Sequence, residues 1–325
     1  MSAKIAFVDP KDPLRLDSML EMAKSEADLD LDIIEAGLSA EEWAARCRQY
    51  EIIILGSRTP MQLLLSCDRL KFLQLMAAGF DAYDIGALNA KSVVVANNAD
   101  AIAISVAEHT ILLMLAVKHR FGENWLSAQR GKWDGMVQRD KITELTKATV
   151  GIVGFGRIGR EVAQRLKGWD MKLLYYDVIP APAQVERELE VERSTLHQLL
   201  READIVSLHV PLNDHTRHLI SEAEFQMMKP SAVLINTCRG PVVDEKALLQ
   251  ALSEGRLAGA GLDVLEKEPA GIDNPLLNME NVVVTPHVAG STLERVYRMN
   301  AFALSNVKKV LQGLPPDSVI GATHV

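Results

Sequence analysis

Three short segments in the second half of the chain carry residue types that suit one reaction. They are Asn236-Thr237-Cys238-Arg239-Gly240, the run from Gly261 through Asp263 to Glu268-Pro269, and Thr285-Pro286-His287-Val288-Ala289-Gly290. An arginine, a glutamate and a histidine converging on one crevice meet the needs of a 2-keto acid, which places a carboxylate beside a carbonyl. Arg239 can bind both oxygens with its planar fork. His287 as imidazolium can give a proton to the carbonyl oxygen as hydride reaches carbon; as neutral imidazole it can take the hydroxyl proton in reverse. Glu268 beside the ring favours its protonated form. Alone, each residue is ordinary: an arginine after a strand is usually solvated, a glutamate before proline usually marks a turn, and a histidine after proline usually sits satisfied in a loop. Together they point to chemistry, because each motif starts where a predicted strand ends, and open α/β sheets bind ligands outside those carboxyl ends.

Hydride chemistry needs a carrier, and residues 148–177 supply a place for one. Thr149–Val153 is an apolar run suited to a buried parallel strand. Gly154, Gly156 and Gly159 then fit GxGxxG: a tight turn, close backbone approach to a pyrophosphate, and close helix–strand packing. The next helix has Ile158, Val162, Ala163 and Leu166 at helical spacing, with Gly168 as its stop. Its first turn offers free N–H groups and a positive dipole end to phosphate. Asp177 follows the last of these glycines by 18 residues, close to the spacing of an acid that binds a ribose hydroxyl. A carboxylate there repels a 2′-phosphate, and Val178 and Ile179 bring no positive charge. NAD is therefore expected over NADP.

The elements around these motifs read as alternating strands and helices. Lys4–Val8, Leu31–Glu35, Glu51–Leu55, Lys71–Met76 and Ser92–Ala96 are expected strands; Leu14–Ala27, Ser39–Arg48 and Ile85–Ala90 are expected helices. Ser39 and Glu42 form a capping-box pattern. Ser105–His119 reads as a long apolar helix. The more polar Arg120–Lys147, with Gly122, Gly131, Gly135, Trp125 and Trp133, reads either as an arm for a partner subunit or as a surface excursion. Further on, Ile205–His209, Ala232–Asn236, Ala258–Val264 and Val282–Thr285 are expected strands. Helices are expected from Ser221 to Met228, over Glu245–Glu254 and over Leu293–Leu311. A glycine fingerprint in mid-chain implies that one domain interrupts another, with crossings near 98–104 and 288–294. The cleft between two such domains is the expected ligand site.

Bulk properties narrow the partners. A length of 325 residues suggests about two domains, and 48% hydrophobic with 24% charged residues is ordinary for a globular chain. The net charge of −8 without a basic run argues against nucleic acid and anionic membranes. The longest strongly apolar run, Ile111–Val117, is too short for a membrane span, and Asp9 and Pro10 interrupt any signal peptide. Three scattered cysteines, Cys47, Cys67 and Cys238, make neither a disulfide framework nor a zinc pattern. The expected compartment is the cytoplasm. No metal site is expected: His215 and His218 lack further ligands. The Cys238 thiol lacks a neighbouring base, so its backbone is the expected contributor.

Nearly the whole chain resembles the D-isomer-specific 2-hydroxyacid dehydrogenase family. The resemblance rests on Val150–Gly159 with Asp177, Ser207-Leu-His-Val-Pro-Leu212, Met228-Lys-Pro230, Leu234–Asp244, Ala260–Val264 with Glu268-Pro269, and Thr285-Pro-His287. It implies an α/β fold of two doubly wound parallel-sheet domains, with a Rossmann NAD-binding domain inserted into a flavodoxin-like substrate domain. The segments would be 1–100, 101–289 and 290–325. It also implies a homodimer, catalysis by Arg239, Glu268 and His287, and a small anionic 2-keto or 2-hydroxy acid as substrate. Cofactor contacts would come from Arg157, Ile158, His209, Val210, Pro211, Thr216, Thr237, Cys238 and Asp263, the last at the nicotinamide carboxamide, and from Gly290. Ala78 and Gly79 would hold the substrate carboxylate.

The N-terminal part departs from the family pattern. Gly79-Phe-Asp81-Ala-Tyr-Asp84 has Ala82 in place of an asparagine, and Asn97–Ile102 lacks the usual Pro-Gly. Arg58 matches a basic position of phosphoglycerate-type members; it either binds a distal anionic group or is a solvated loop arginine. An added C-terminal regulatory domain is not expected. Two other readings stay open: a formate- or phosphite-type dehydrogenase, and an NAD-sensing binding protein or corepressor with little turnover.

Overall fold

The computed structural model describes residues 3–9, 11–133 and 139–321, so Gly135 lies outside the described residues. Five apolar runs in the first hundred residues form parallel strands: β1 (Ile5–Val8), β2 (Asp32–Ile34), β3 (Ile52–Leu55), β4 (Phe72–Leu75) and β5 (Val94–Ala96). Seven more follow the glycine motif: β6 (Thr149–Val153), β7 (Lys172–Tyr176), β8 (Val191–Arg193), β9 (Ile205–Leu208), β10 (Val233–Asn236), β11 (Gly259–Leu262) and β12 (Val282–Val284). A last short strand, β13 (Val319–Ile320), adds antiparallel to β5. Central strands such as β1, β3, β4, β9 and β10 are buried along their whole length, as expected where both faces of a sheet are covered.

The chain divides into two units, residues 1–102 with 292–325, and residues 103–291. In the first, the sheet order is β13-β5-β4-β3-β1-β2. Without β13 this is the 2-1-3-4-5 order of flavodoxin-like sheets. In the second, the order β12-β11-β10-β9-β6-β7-β8 is all parallel and follows the Rossmann pattern outward from β6. The strand order reverses between β6 and β9, so the Gly154–Gly159 turn leaves the sheet at its switch point.

Several elements differ from the sequence reading. The helix expected from Ser105 begins at Ala99 and runs to Lys118. Ala99, Asp100 and Ala101 extend it, because no Pro-Gly pair stands there to stop it. At this length it is long and apolar enough to cross a membrane by composition, which the count of strictly apolar residues did not register. Ala107, Leu113, Met114 and Val117 bury it in the core of the second unit, as a core helix would be. The helix expected over Leu14–Ala27 is α-helical only through Met22 and closes in a π-turn, Ala23–Ala27. Helices Met61–Leu65, Phe121–Gln129, Ala183–Leu189 and Leu196–Glu202 were not anticipated. Three are shorter than two or so turns, too short to show a period. The fourth, Phe121–Gln129, buries no residue and so carries no apolar stripe to read. The capping box at Ser39 is present in both directions.

Candidate active site

The glycine turn has the geometry a dinucleotide needs. Gly154 sits at φ +92, and a Cβ there would lie 2.6 Å from the His209 carbonyl oxygen. A Cβ on Gly159 would lie 2.2 Å from the Gly154 oxygen, so only glycine lets the helix start this close to the strand. Around Gly156 a Cβ would meet nothing within 4 Å, which leaves open space at the helix N-terminus for a phosphate. Arg157 is exposed and Ile158 partly buried in that first helical turn. Asp177 follows β7 and ties the turn down: one carboxylate oxygen accepts the Phe155 N–H at 2.7 Å, the other the Ile179 N–H at 2.9 Å. A carboxylate has room for further donors such as a ribose hydroxyl. The residues present therefore fit a dinucleotide.

β10, β11 and β12 are neighbours, and the three chemical motifs leave their carboxyl ends side by side. Arg239 follows β10 with extended backbone, and its guanidinium donates to the Cys238 carbonyl at 2.7 Å. Gly240 lets this segment pack backbone to backbone on the next one; a Cβ there would fall 2.0 Å from the Leu265 carbonyl. Glu268 accepts the Leu265 N–H at 3.0 Å and, with its other oxygen, faces His287 Nδ1 at 2.7 Å. With Nδ1–H donating to the carboxylate, Nε2 is the ring nitrogen left to exchange a proton. The His287 side chain is 52% exposed, so that nitrogen is reachable.

Asp263 builds the platform under His287, a role the sequence did not reveal. It is 1% exposed, and its carboxylate accepts the Val288 and Ala289 N–H groups at 2.9 and 2.8 Å and the Thr285 hydroxyl at 2.6 Å. Its carbonyl accepts the His287 N–H at 2.9 Å. These bonds hold His287 at φ +53, a left-handed conformation costly for a residue with a Cβ. His109, from the long helix, reaches Thr285 Oγ1 at 2.9 Å and Asp263 at 3.5 Å. Next to it Thr110 bonds the Thr237 hydroxyl at 2.9 Å. The one available signal was the polar run Glu108-His109-Thr110 in a mostly apolar helix. Gly290 closes the turn after Ala289.

The remaining expected contacts surround the end of β9. His209 bonds Ser207 Oγ at 2.8 Å, and burial of its ring pushes its pKa down to about 3, so it stays neutral. Val210 and Pro211 lead into a turn in which Thr216 donates to the Pro211 carbonyl at 2.6 Å. Burial pushes the Cys238 thiol up to about 11, which makes it a poor nucleophile. His218 pairs with Glu266 at 2.9 Å on the surface.

In the first unit, Asn97 and Asn98 secure the loop after β4. Asn97 Nδ2 donates to the Ala78 carbonyl at 2.7 Å, and the Asn98 N–H to the Ala77 carbonyl at 3.0 Å. Gly79 and the exposed Arg58 line a cavity of about 240 Å³.

The chain is similar to known proteins in sequence and in fold. Residues 111–289 match the family described as D-isomer specific 2-hydroxyacid dehydrogenase, NAD binding domain. The chain is 36% identical over 295 residues to the D-3-phosphoglycerate dehydrogenase of Methanocaldococcus jannaschii, covering 90% of this chain and 56% of that protein. It therefore spans about half the length of that relative. It is 38% identical over 293 residues to the glyoxylate reductase of Thermofilum pendens, covering 87% and 84% of the two chains. The holo structure of D-mandelate dehydrogenase from Rhodotorula graminis superimposes with a TM-score of 0.87 at 31% identity, covering 99% of this chain and 98% of that one. The chain belongs to the D-isomer specific 2-hydroxyacid dehydrogenase family.

Proposed function

We propose that this protein interconverts a small 2-keto acid and its D-2-hydroxy acid with NAD as hydride carrier. The observation that carries the reading is the 2.7 Å His287–Glu268 pair, in the same unit as the Gly154–Gly159 turn and with Arg239 at the end of β10, the neighbour of β11. Bound NAD(H) supplies or accepts the hydride. Gly154, Gly156, Arg157, Ile158 and Gly159 would hold its pyrophosphate and Asp177 its ribose, with His209, Val210, Pro211, Thr216, Thr237, Cys238, Asp263 and Gly290 lining the remainder. Arg239 binds the substrate carboxylate and orients the carbonyl. His287 Nε2 gives a proton to the carbonyl oxygen or takes it from the hydroxyl. Glu268 fixes the ring and balances its positive charge. Arg58, Ala78 and Gly79 supply further substrate contacts, in a substrate domain of 1–100 with 290–325 that is interrupted in sequence by an NAD-binding domain of 101–289. The relatives named for glyoxylate reduction and phosphoglycerate oxidation support this class of substrate.

The reading is tested by incubating the protein with NADH and glyoxylate, hydroxypyruvate, pyruvate, phenylpyruvate or phosphohydroxypyruvate. NADH is expected to be consumed with at least one of them. Consumption with none would refute the reading. Asp177→Ala is expected to lower the NAD-over-NADP ratio of kcat/KM about tenfold or more, since it removes both the ribose acceptor and the charge that repels a 2′-phosphate. An unchanged ratio would assign cofactor choice to other residues.

The protein is further proposed to act as a cytoplasmic homodimer. Phe121, Trp125 and Leu126 on one short helix, with Trp133 beyond it, are exposed large apolar side chains in the second unit. Such a patch is what an isologous interface buries. Sedimentation is expected to give twice the chain mass of 35.8 kDa, and Trp125→Glu to weaken association. A monomer at micromolar concentration would contradict this.

A further inference from the structure

The long helix Ala99–Lys118 brings two neighbouring polar side chains, His109 and Thr110, to the strand ends of the second unit. Thr110 meets Thr237, one residue past β10, and His109 meets Thr285, one residue past β12. The proton positions in both contacts follow from counting donors. A hydroxyl has one proton, whereas an ionised carboxylate and a carbonyl only accept. Thr285 Oγ1 lies 2.6 Å from Asp263 Oδ1, so its proton goes to the carboxylate. Toward His109, 2.9 Å away, it is then an acceptor, and the His109 Nε2 must carry a proton. Thr110 gives its own proton to the Val106 carbonyl at 2.7 Å, so at their 2.9 Å contact Thr237 donates to it.

The first of these chains runs from His109 Nε2–H through the Thr285 hydroxyl to Asp263 Oδ1, and it ends beneath His287. The Asp263 carboxylate is 1% exposed, and a buried charge has to be met by donors. A donor behind Thr285 strengthens the bond from its hydroxyl to the carboxylate, because hydrogen bonds in series polarise one another. Nε2 also stands 3.5 Å from Oδ1, so its N–H dipole acts on the buried charge directly. His287, at φ +53, has a strained backbone that persists where its surroundings over-determine it. Those surroundings are the Asp263 carbonyl, which accepts its N–H, and the Asp263 carboxylate, which accepts the next two. Loosening Asp263 therefore frees the turn, and with it the 2.7 Å contact between the His287 ring and Glu268. The His109 side chain is 14% exposed, on a helix that Ala107, Leu113, Met114 and Val117 fix in the core.

We propose that His109 is a positioning residue for the reaction, acting through Thr285 and Asp263 to keep the His287 backbone in its left-handed conformation and the ring against Glu268. The effect on turnover rests on the dehydrogenase reading above; the bonded chain itself does not.

Turnover and amide exchange in the whole protein test this separately. In His109→Leu, kcat is expected to fall about 10- to 100-fold with KM for the keto acid within about threefold of wild type, because the variant displaces the proton donor and leaves Arg239 to hold the substrate. The Val288 and Ala289 N–H groups are expected to exchange with solvent about tenfold faster. His109→Gln, whose terminal amide offers an N–H donor at similar reach, is expected to restore most of both. Thr285→Val cuts the same chain, so adding His109→Leu to it is expected to lower kcat little further. Nitrogen-15 NMR of the wild-type His109 ring is expected to show Nε2 protonated. An unprotonated Nε2, or wild-type kcat and exchange in His109→Leu, would overturn the proposal. So would a His109→Gln protein as impaired as His109→Leu, with kcat and KM worsened together, since that is the mark of a purely structural role. If the wild type reduces no keto acid, the dehydrogenase reading falls and exchange decides the rest: faster exchange in His109→Leu retains the bonded chain, and unchanged exchange removes it.

Discussion

His287→Asn is expected to cut kcat by about 10²- to 10⁴-fold while NADH still binds, the range over which a positioned acid–base contributes. Asparagine is the informative choice. The position is held at φ +53, and asparagine tolerates the left-handed region where alanine is strained. The variant therefore keeps the loop, its two N–H bonds to the Asp263 carboxylate from Val288 and Ala289, and the neighbouring cofactor positions. It loses only the ring proposed to exchange the proton with substrate. Steady-state turnover gives the loss, and NADH fluorescence titration shows whether binding survives. Turnover within a few-fold of wild type would remove His287 from the reaction. If turnover and NADH binding fall together, the residue serves the cofactor site and not proton transfer.

Arg239→Ala is expected to lower kcat/KM for keto acids by about 10²- to 10³-fold, again with NADH affinity nearly intact. The guanidinium donates from one nitrogen to the Cys238 carbonyl, which restrains its fork. Two parallel bonds to a carboxylate depend on that plane. Arg239→Lys restores the charge but not the fork, so it is expected to recover only a small part of the loss. A full recovery by lysine would show that charge alone matters and that orientation of the carbonyl comes from elsewhere. Normal keto-acid kinetics in Arg239→Ala would refute its carboxylate role.

The sequence made the fold legible where the physics is local. Apolar runs such as Ile52–Leu55 and Val233–Asn236 are strands because both faces are covered, and a strand buried on both sides needs no periodicity to be seen. The glycine turn was legible for the same reason: Gly154 and Gly159 stand where the backbone approaches too closely for any side chain. The Glu268–His287 pair was anticipated from placement at adjacent strand ends, and the two side chains do meet. Short helices on the surface, such as Ala183–Leu189, were missed because seven residues hold too little pattern.

What stayed hidden depends on contacts between residues distant in the chain. Asp263 reads in sequence as one acid in a motif; only the fold shows that it gathers Thr285, Val288 and Ala289 beneath His287. His109 and Thr285 stand 176 residues apart, and nothing local ties one to the other. Their meeting follows from the packing of the long helix into the core of the second unit. The unusual Asn97-Asn98 pair likewise gains meaning only as the clamp on Ala77 and Ala78.

The most direct measurement is transfer of deuterium from NADH carrying deuterium at both nicotinamide C4 positions to a 2-keto acid, with the product analysed for position and configuration of the label. The expected product is the D-2-hydroxy acid with deuterium on C2, one per NADH consumed. NADH that binds without passing its label to any keto acid, or a product of L configuration, would contradict the account.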